Sequence, residues 1–290
     1  MKILILGADG MIGHKMAQVF YKLNFDLFLN TRTQSEFFKK KFPNSTIYHF
    51  DFLKQNIEEL VEKCSPDYII NSAGITKRRG AAGNVETEYI NTFLPRKIDV
   101  WCKKNKKKQI LFSTDCVFSG DKGNYNDFDR SDAIDNYGSS KGKGELNSKS
   151  TLTIRSSMIG REIYNKTELL EWVISNKNQT IRGFEGSIYS GVTTLWMSDI
   201  LVKIIKKYPG LSGIYNISSS PISKFDLITK INLYFKLNLD IVKDTSFSSN
   251  KSLNSGRFFA ETGFKKPDWD KMLSDLYIDC ENNNNLYKLK

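Results

Sequence analysis

Tyr137 and Lys141 stand four residues apart in "DNYGSSKGKGE", which places both on one face of a helix. An ammonium beside a phenol favours the phenolate and lowers the phenol pKa, so Tyr137 could exchange a proton near neutral pH. Spacing alone decides little in a chain with 13 tyrosines and abundant lysine. The plain alternative is a half-buried helix tyrosine with a solvated lysine. Upstream, the apolar run of "LFSTDCVFSG" ends in Ser113, Thr114 and Asp115, and Cys116 follows. The Thr114 hydroxyl could hydrogen-bond the carbonyl oxygen that Tyr137 protonates. Cys116, two residues on, has the parity to share that side of the chain. It is either a small apolar wall residue or a thiol that faces substrate.

A second constellation supplies a partner for this chemistry. In "ILILGADGMIGHKMAQVF", Gly7, Gly10 and Gly13 lie between an apolar strand and an amphipathic helix, with Asp9, Met11 and Ile12 inside the same loop. Gly7 makes the tight turn, Gly10 lets backbone approach a pyrophosphate, and Gly13 lets helix and sheet pack closely. The helix N-terminus then faces the phosphates. An acidic residue about twenty positions on would hold the ribose 2′-hydroxyl of NAD. Here the second strand runs into Asn30, Thr31 and Arg32. Arg32 is either a contact for a 2′-phosphate or a surface arginine; the first favours NADPH, with NADH the alternative. Asp51, after the third strand, is expected near the adenine.

The elements that must position these groups alternate. Apolar runs at 2–6, 26–30, 46–50, 67–71, 109–113 and 152–156 read as strands, separated by helical patterns. This rhythm predicts an α/β fold, a Rossmann-type doubly wound parallel sheet. Tyr137 then opens a helix at the carboxyl edge of that sheet, where ligands bind. Past residue 156 the rhythm breaks into helices near 167–176, 195–207, 223–236 and 268–279, with short strands near 180–184, 213–217 and 239–242. This predicts a smaller C-terminal α/β substrate lobe. The expected division is 1–156 plus about 186–218 for the dinucleotide-binding domain, and 157–185 plus 219–290 for the lobe. Asn282 to Asn285 is expected to open a frayed polar tail.

Composition narrows the classes. The four cysteines lack CxxC spacing, and there are only two histidines, so no metal site and no disulfide framework is expected. The opening apolar run is too short for a signal peptide or a span, and no later run is long enough. A cytoplasmic protein without a membrane partner is expected. The net charge of +11 is either surface lysine or a field that gathers anionic ligands. No basic stripe interleaves with aromatics, so nucleic acid is not an expected partner.

Taken together, "GADGMIG" (7–13), "NSAG" (71–74), "INTFLP" (90–95), "STDCVFSG" (113–120), "YGSSKGKGE" (137–145), "IRSSMIG" (154–160) and, more weakly, "SLNSGRF" (252–258) resemble the extended short-chain dehydrogenase/reductase family. Within it the chain looks like the dTDP-4-dehydrorhamnose reductase branch. The resemblance implies Thr114, Tyr137 and Lys141 as a catalytic trio. It implies Gly7, Asp9, Gly10, Met11, Ile12, Arg32, Asp51, Phe52, Ala73, Gly74, Tyr137 and Lys141 as the cofactor-binding set. It further implies reduction of the 4-keto group of a nucleotide-linked 6-deoxy-4-ketohexose, in which NADPH supplies hydride to C4 and Tyr137 protonates the oxygen. A homodimer is the implied assembly.

Departures from the branch bear on the sugar. Cys116 stands where the rhamnose enzymes usually have tyrosine, and Met158 where they usually have an aromatic residue. "RSSMIGRE" and "FEGSIYSGVTTL" look more like relatives acting on UDP-linked 2-acetamido-2,6-dideoxy-4-ketohexoses, of the UDP-L-rhamnosamine type. The nucleotide is thus expected to be UDP or dTDP. Lys77, Asp115, Cys116, Met158, Arg182 and Arg257 are the expected substrate contacts, with Arg78 and Arg79 further candidates for the diphosphate. In GDP-fucose synthase and plant-type rhamnose synthases a cysteine at the matching position acts in epimerisation. Epimerisation at C3, and at C5, before reduction is therefore an expectation too, with Lys166 a candidate opposing acid. The alternatives are a 4,6-dehydratase or epimerase, and a non-catalytic NADP-binding subunit.

Overall fold

The computed structural model describes residues 1–32, 36–77 and 84–287, residues 37 and 84 by backbone only. In chain order the elements are β1 (Lys2–Leu6), α1 (Met11–Lys22), β2 (Asp26–Thr31), α2 (Glu36–Lys41), β3 (Thr46–His49), α3 (Ile57–Cys64), β4 (Tyr68–Asn71) and α4 (Asn84–Glu88). A π-helical turn, Tyr89–Phe93, joins α4 to α5 (Leu94–Asn105). Then come β5 (Lys108–Phe112), α6 (Asn136–Gly144), β6 (Thr151–Arg155), β7 (Met158–Ile159), α7 (Leu169–Ser175), β8 (Thr180–Tyr189), β9 (Val192–Thr193) and α8 (Thr194–Lys207). The chain ends with β10 (Gly213–Asn216), β11 (Ile222–Ser223), α9 (Lys224–Phe235), β12 (Asp240–Asn250), α10 (Gly256–Thr262), α11 (Trp269–Asn282) and α12 (Asn284–Tyr287).

The chain folds as two units, each assembled from separated segments. The first comprises Met1–Ser113, Ile134–Ile154 and Ser198–Ile214. Its seven-stranded sheet has the order β10-β6-β5-β4-β1-β2-β3. The register is parallel from β3 to β6, with Ile3 opposite both Leu27 and Tyr68, and Ile110 opposite both Ile70 and Leu152. Ile3, Leu4, Ile5 and Leu6 are all fully buried, as a strand covered on both faces requires. The helices on this sheet begin where caps dictate. Asn56 accepts from the Glu58 amide ahead of α3, and Asp135 from the Gly138 amide ahead of α6.

The second unit comprises Thr114–Ala133, Arg155–Met197 and Tyr215–Lys290. It holds a three-stranded sheet, β11-β8-β12, and the short ribbon β7-β9. β8 runs parallel to β12 and antiparallel to β11. Both long strands exceed the sequence expectation. β8 reaches Tyr189 rather than 184, and β12 reaches Asn250 rather than 242. Gly183, Gly186 and a serine-rich run hide them from any propensity argument, and their mutual pairing, with a bulge between Asp244 and Ser248, holds them extended.

The observed division also runs differently from the expected one. Residues 114–133 belong to the second unit because Val117, Phe118 and Tyr125 share a small core with Leu253. Residues 186–197 stay there too, since Gly186–Ile188 pair with Ser248–Asn250. The expected frayed tail is helical instead. Leu286 and Tyr287 are buried, and the Arg161 guanidinium lies 4.7 Å from the Tyr287 ring centre. Among the described residues no helix is long and apolar enough to cross a membrane, and no group of three or more His, Cys, Asp or Glu could hold a metal ion.

Candidate active site

In the first unit the strand order reverses between β1 and β4, the crevice where open α/β sheets take ligands. The loops after these strands carry Gly7–Gly13 and Ser72–Gly74. Ser72 Oγ ties them, donating to the Leu6 carbonyl at 2.6 Å. Gly7 sits at φ +69°, and a Cβ there would lie 3.2 Å from the Ala73 backbone. A Cβ on Gly13 would lie 2.1 Å from the Gly7 carbonyl oxygen, so helix and loop admit no side chain. At Gly10 a Cβ would meet only the Gly7 carbonyl, at 3.3 Å, so the protein's own packing hardly demands glycine there. As the N-cap of α1, Gly10 offers no side chain to the first-turn amides. Asn71 Nδ2, at the end of β4, is a buried donor with no partner among the described residues. A ligand that fills the space over Gly10 and accepts hydrogen bonds accounts for all three features, and a dinucleotide pyrophosphate fits.

Three asparagines brace this crevice. Asn30 Oδ1 accepts from the Gly7 amide at 3.1 Å, and its Nδ2 donates to the Phe50 carbonyl at 3.0 Å. Asn71 Oδ1 accepts from the Ala73 amide at 3.3 Å. Asn91, inside the π-helical turn, accepts from the Ile75 amide and donates to the Ile75 carbonyl and to Ser140 Oγ, each at 3.0 Å. Thr92 Oγ1 donates to the Ser140 carbonyl at 2.7 Å. A Cβ on Gly144 would stand 1.9 Å from the Asn91 carbonyl oxygen. The π turn and α6 are thereby pressed backbone to backbone, which fixes the helix that carries Tyr137 and Lys141.

Lys141 is buried, and its Nζ donates to the Phe112 carbonyl at 2.5 Å. Burial lowers its pKa to about 8, against a smaller upward pull from Glu145. Glu145 in turn accepts from Ser113 Oγ at 2.6 Å. Tyr137, one turn before Lys141, is half-buried. Arg32 is exposed just after β2. The Asp51 carboxylate accepts from the Leu53 amide at 3.0 Å and lies 4.0 Å from Lys54. Phe52 packs on Phe50 in the hydrophobic core, so its side chain serves the sheet. Gly74 has only Asn91 Oδ1 near its would-be Cβ, at 3.6 Å. Exposed Lys77 lies 3.9 Å from the Asp135 carboxylate. Arg78 and Arg79 lie outside the described residues.

In the second unit Thr114 is extended and caps a 3₁₀ turn, Asp115–Val117. Its Oγ1 accepts from the Cys116 amide at 3.1 Å and donates to Asp115 Oδ1 at 3.2 Å. Cys116 is half-buried, and its thiol is pushed up to about 12 by burial and then by Asp115. Met158 is half-buried on β7 opposite Val192. Arg182 is exposed on β8, 3.6 Å from Asp244. The Arg257 guanidinium lies 4.0 Å from the centre of the Tyr215 ring and donates to Glu261 at 3.0 Å. Lys166 is exposed in a loop at φ +51°.

The sequence itself carries a family signature: the profile described as "RmlD substrate binding domain" matches residues 1–180. The chain belongs to the RmlD substrate-binding domain family. No curated protein matches it. Among solved structures it is similar to a hypothetical dTDP-4-dehydrorhamnose reductase from Sulfolobus tokodaii, at 24% identity over 93% of this chain and 98% of that one, with a TM-score of 0.77. A dTDP-4-dehydrorhamnose reductase from Bacillus anthracis, solved in complex with NADP, is 20% identical over 96% and 99%, with a TM-score of 0.78. A dTDP-glucose 4,6-dehydratase from the same organism, solved with NAD, is 17% identical over the full length of both chains, with a TM-score of 0.80. At these identities the likeness is one of fold, and it extends along nearly the whole of each chain.

For this RmlD family chain, several residues that shape the site escaped the sequence argument. Asn30 and Asn91 stand in apolar surroundings, and a buried asparagine in such a run is a signal that the backbone nearby needs a brace. Gly144 reads as one more glycine of a flexible stretch; only the close approach of Asn91 reveals its purpose. Glu145 lies one turn past Lys141, which is the spacing of a charge partner.

Proposed function

We propose that this chain is an NADPH-dependent oxidoreductase that reduces the 4-keto group of a nucleotide-linked 6-deoxyhexose. The observation that carries the proposal is the first unit's combination of a glycine loop shaped for a pyrophosphate with α6, whose buried Lys141 stands one turn after Tyr137. Family membership and the fold shared with dTDP-4-dehydrorhamnose reductases support it. NADPH, when bound, supplies the hydride that C4 receives. Tyr137 gives its proton to the carbonyl oxygen, so that C=O becomes CH–OH. The Lys141 ammonium favours loss of that proton and holds the cofactor ribose. Thr114 donates a hydrogen bond to the same oxygen. Gly7, Asp9, Gly10, Met11, Ile12, Ala73 and Gly74 are assigned to the cofactor. Arg32 is assigned to the 2′-phosphate, which is the basis for NADPH over NADH.

The substrate is assigned as a UDP- or dTDP-linked 4-keto sugar, with a UDP-2-acetamido-2,6-dideoxy-L-hexos-4-ulose and 4-keto-L-rhamnose as the two forms to test. Incubation of the protein with NADPH and, in separate reactions, the product of a UDP-GlcNAc 4,6-dehydratase and a nucleotide-linked 4-keto-L-rhamnose, read by NMR, tests the proposal. Stoichiometric NADPH oxidation with a new C4 hydroxyl supports it. Recycled cofactor indicates a dehydratase or epimerase, and no turnover with either nucleotide sugar removes the reductase.

Reduction without epimerisation is the form the site favours. Moving a C3 or C5 proton with Cys116 calls for a thiolate, and burial together with Asp115 holds the group as a thiol. Solvent deuterium is expected to stay out of C3 and C5, with Cys116→Ser matching wild type. Incorporation that is lost in Cys116→Ser instead assigns the thiol to epimerisation.

A further inference from the structure

Tyr189 ends β8 in the second unit and lies inside the stretch "FEGSIYSGVTTL", 184–195. Its ring is 6% exposed. It is held from two sides, by Lys224 Nζ at 3.9 Å from the ring centre and by the Trp269 ring at 5.8 Å. Its hydroxyl is fully buried and has no hydrogen-bond partner among the described residues. The backbone makes room for that oxygen. A Cβ on Gly191 would lie 2.0 Å from Tyr189 Oη and 2.5 Å from the Ser157 carbonyl oxygen. The Ser157 carbonyl already accepts from the Val192 amide at 2.9 Å, next to the β7-β9 pairing of Met158 with Val192. The hydroxyl therefore stands beside the segment that carries Met158. Asp115, Cys116 and Glu168 are the ionisable groups whose charges act on it.

Packing has no use for this oxygen, since a phenylalanine would fill the same space. A buried hydroxyl without a partner costs stability unless something else supplies one. Burial, then Asp115, keeps the phenol protonated, so it is a donor in need of an acceptor. Asp115 and Glu168 act on the hydroxyl as negative charges, and the Lys224 ammonium, the cation against this side chain, lies over the ring, so an uncharged sugar oxygen suits the hydroxyl better than a phosphate.

The geometry points to Tyr189 as a further substrate-binding residue, its hydroxyl donating to an oxygen of the hexose or of the hexose's C2 substituent, beside the segment that carries Met158. This deepens the nucleotide-sugar proposal above and rests on it. The contact serves the sugar rather than the nucleotide, so it sets which hexose is accepted.

The test compares wild type with Tyr189→Phe by calorimetric titration of UDP, UDP-N-acetylglucosamine, dTDP and dTDP-glucose. The expected result is a loss of about 5–10-fold in affinity for whichever sugar nucleotide binds, with affinity for its free nucleotide unchanged. The melting temperature is expected to hold or to rise by roughly 2–4 °C, because an unpaired buried hydroxyl has been removed. Equal affinities for both variants, or equal losses for sugar-linked and free nucleotide, overturn the assignment. So does a lowered melting temperature with an unchanged ratio, which makes the hydroxyl structural. If wild type gains nothing from the sugar, the assignment fails as well. NADPH oxidation by wild type reports separately: a sugar-dependent defect in Tyr189→Phe without any turnover in wild type sinks the reductase and leaves the contact standing.

Discussion

A lysine buried inside the protein holds its proton less tightly than a lysine in water, because burial penalises the charged form. Lys141, with a pKa of about 8 against 10.5, makes stability and activity move in opposite directions with pH. Below about pH 8 folded and unfolded chains are both charged at this group, and the folded state bears the full desolvation cost, about 3 kcal/mol. Between about 8 and 10.5 the unfolded chain binds the extra proton, so this group's contribution to stability rises with pH. The ammonium proposed to assist Tyr137 disappears over the same interval. We expect kcat/KM to fall with an apparent pKa near 8 while the difference in melting temperature between wild type and Lys141→Met shrinks; a flat rate profile above pH 8 contradicts this. Tyr137→Phe is expected to lower kcat by about 10²–10⁴-fold, read from initial rates of NADPH oxidation. The four-residue spacing of Tyr137 and Lys141 was legible in the sequence. The burial of Lys141 was not, because it depends on the carbonyl of Phe112, 29 positions away along the chain.

Among the elements, the glycine loop and α6 make separable predictions. Gly13→Ala puts a methyl 2.1 Å from the Gly7 carbonyl and is expected to cost about 1–3 kcal/mol, seen as an early denaturant midpoint. Gly10→Ala has an extended backbone and one contact at 3.3 Å, so its stability should change by less than about 1 kcal/mol while dinucleotide affinity drops. Equal effects at the two glycines would contradict the division between packing and ligand space. Strands β1 to β6 were legible to within a residue or two at their ends because each is a short apolar run between punctuating residues. β8 and β12 were cut short because alternating glycine, serine and charge says nothing of a strand whose stability comes from its neighbour. The π-helical turn was invisible as well: the Asn91 inside it is held by Ile75 and Ser140, 16 and 49 positions away along the chain.

The molecule as a whole carries a net charge of +11. For a dianionic sugar nucleotide this predicts a KM that rises with ionic strength between about 20 and 300 mM salt, where the screening length shortens from roughly 20 to 6 Å; a KM indifferent to salt assigns the charge to solvation of the surface alone. The parallel sheet and the dinucleotide loop were legible at this scale, but the path of the chain was not, since residues 114–133 are drawn away by Leu253. Each unit is stitched from three stretches, and the last stretch of the first unit ends only at Ile214. On the ribosome, then, neither unit is completed early: the nascent polypeptide must wait for distant segments to emerge, and a gene cut between Ile154 and Arg155, which divides both units, should yield fragments that fail to fold separately yet can complement one another when co-expressed.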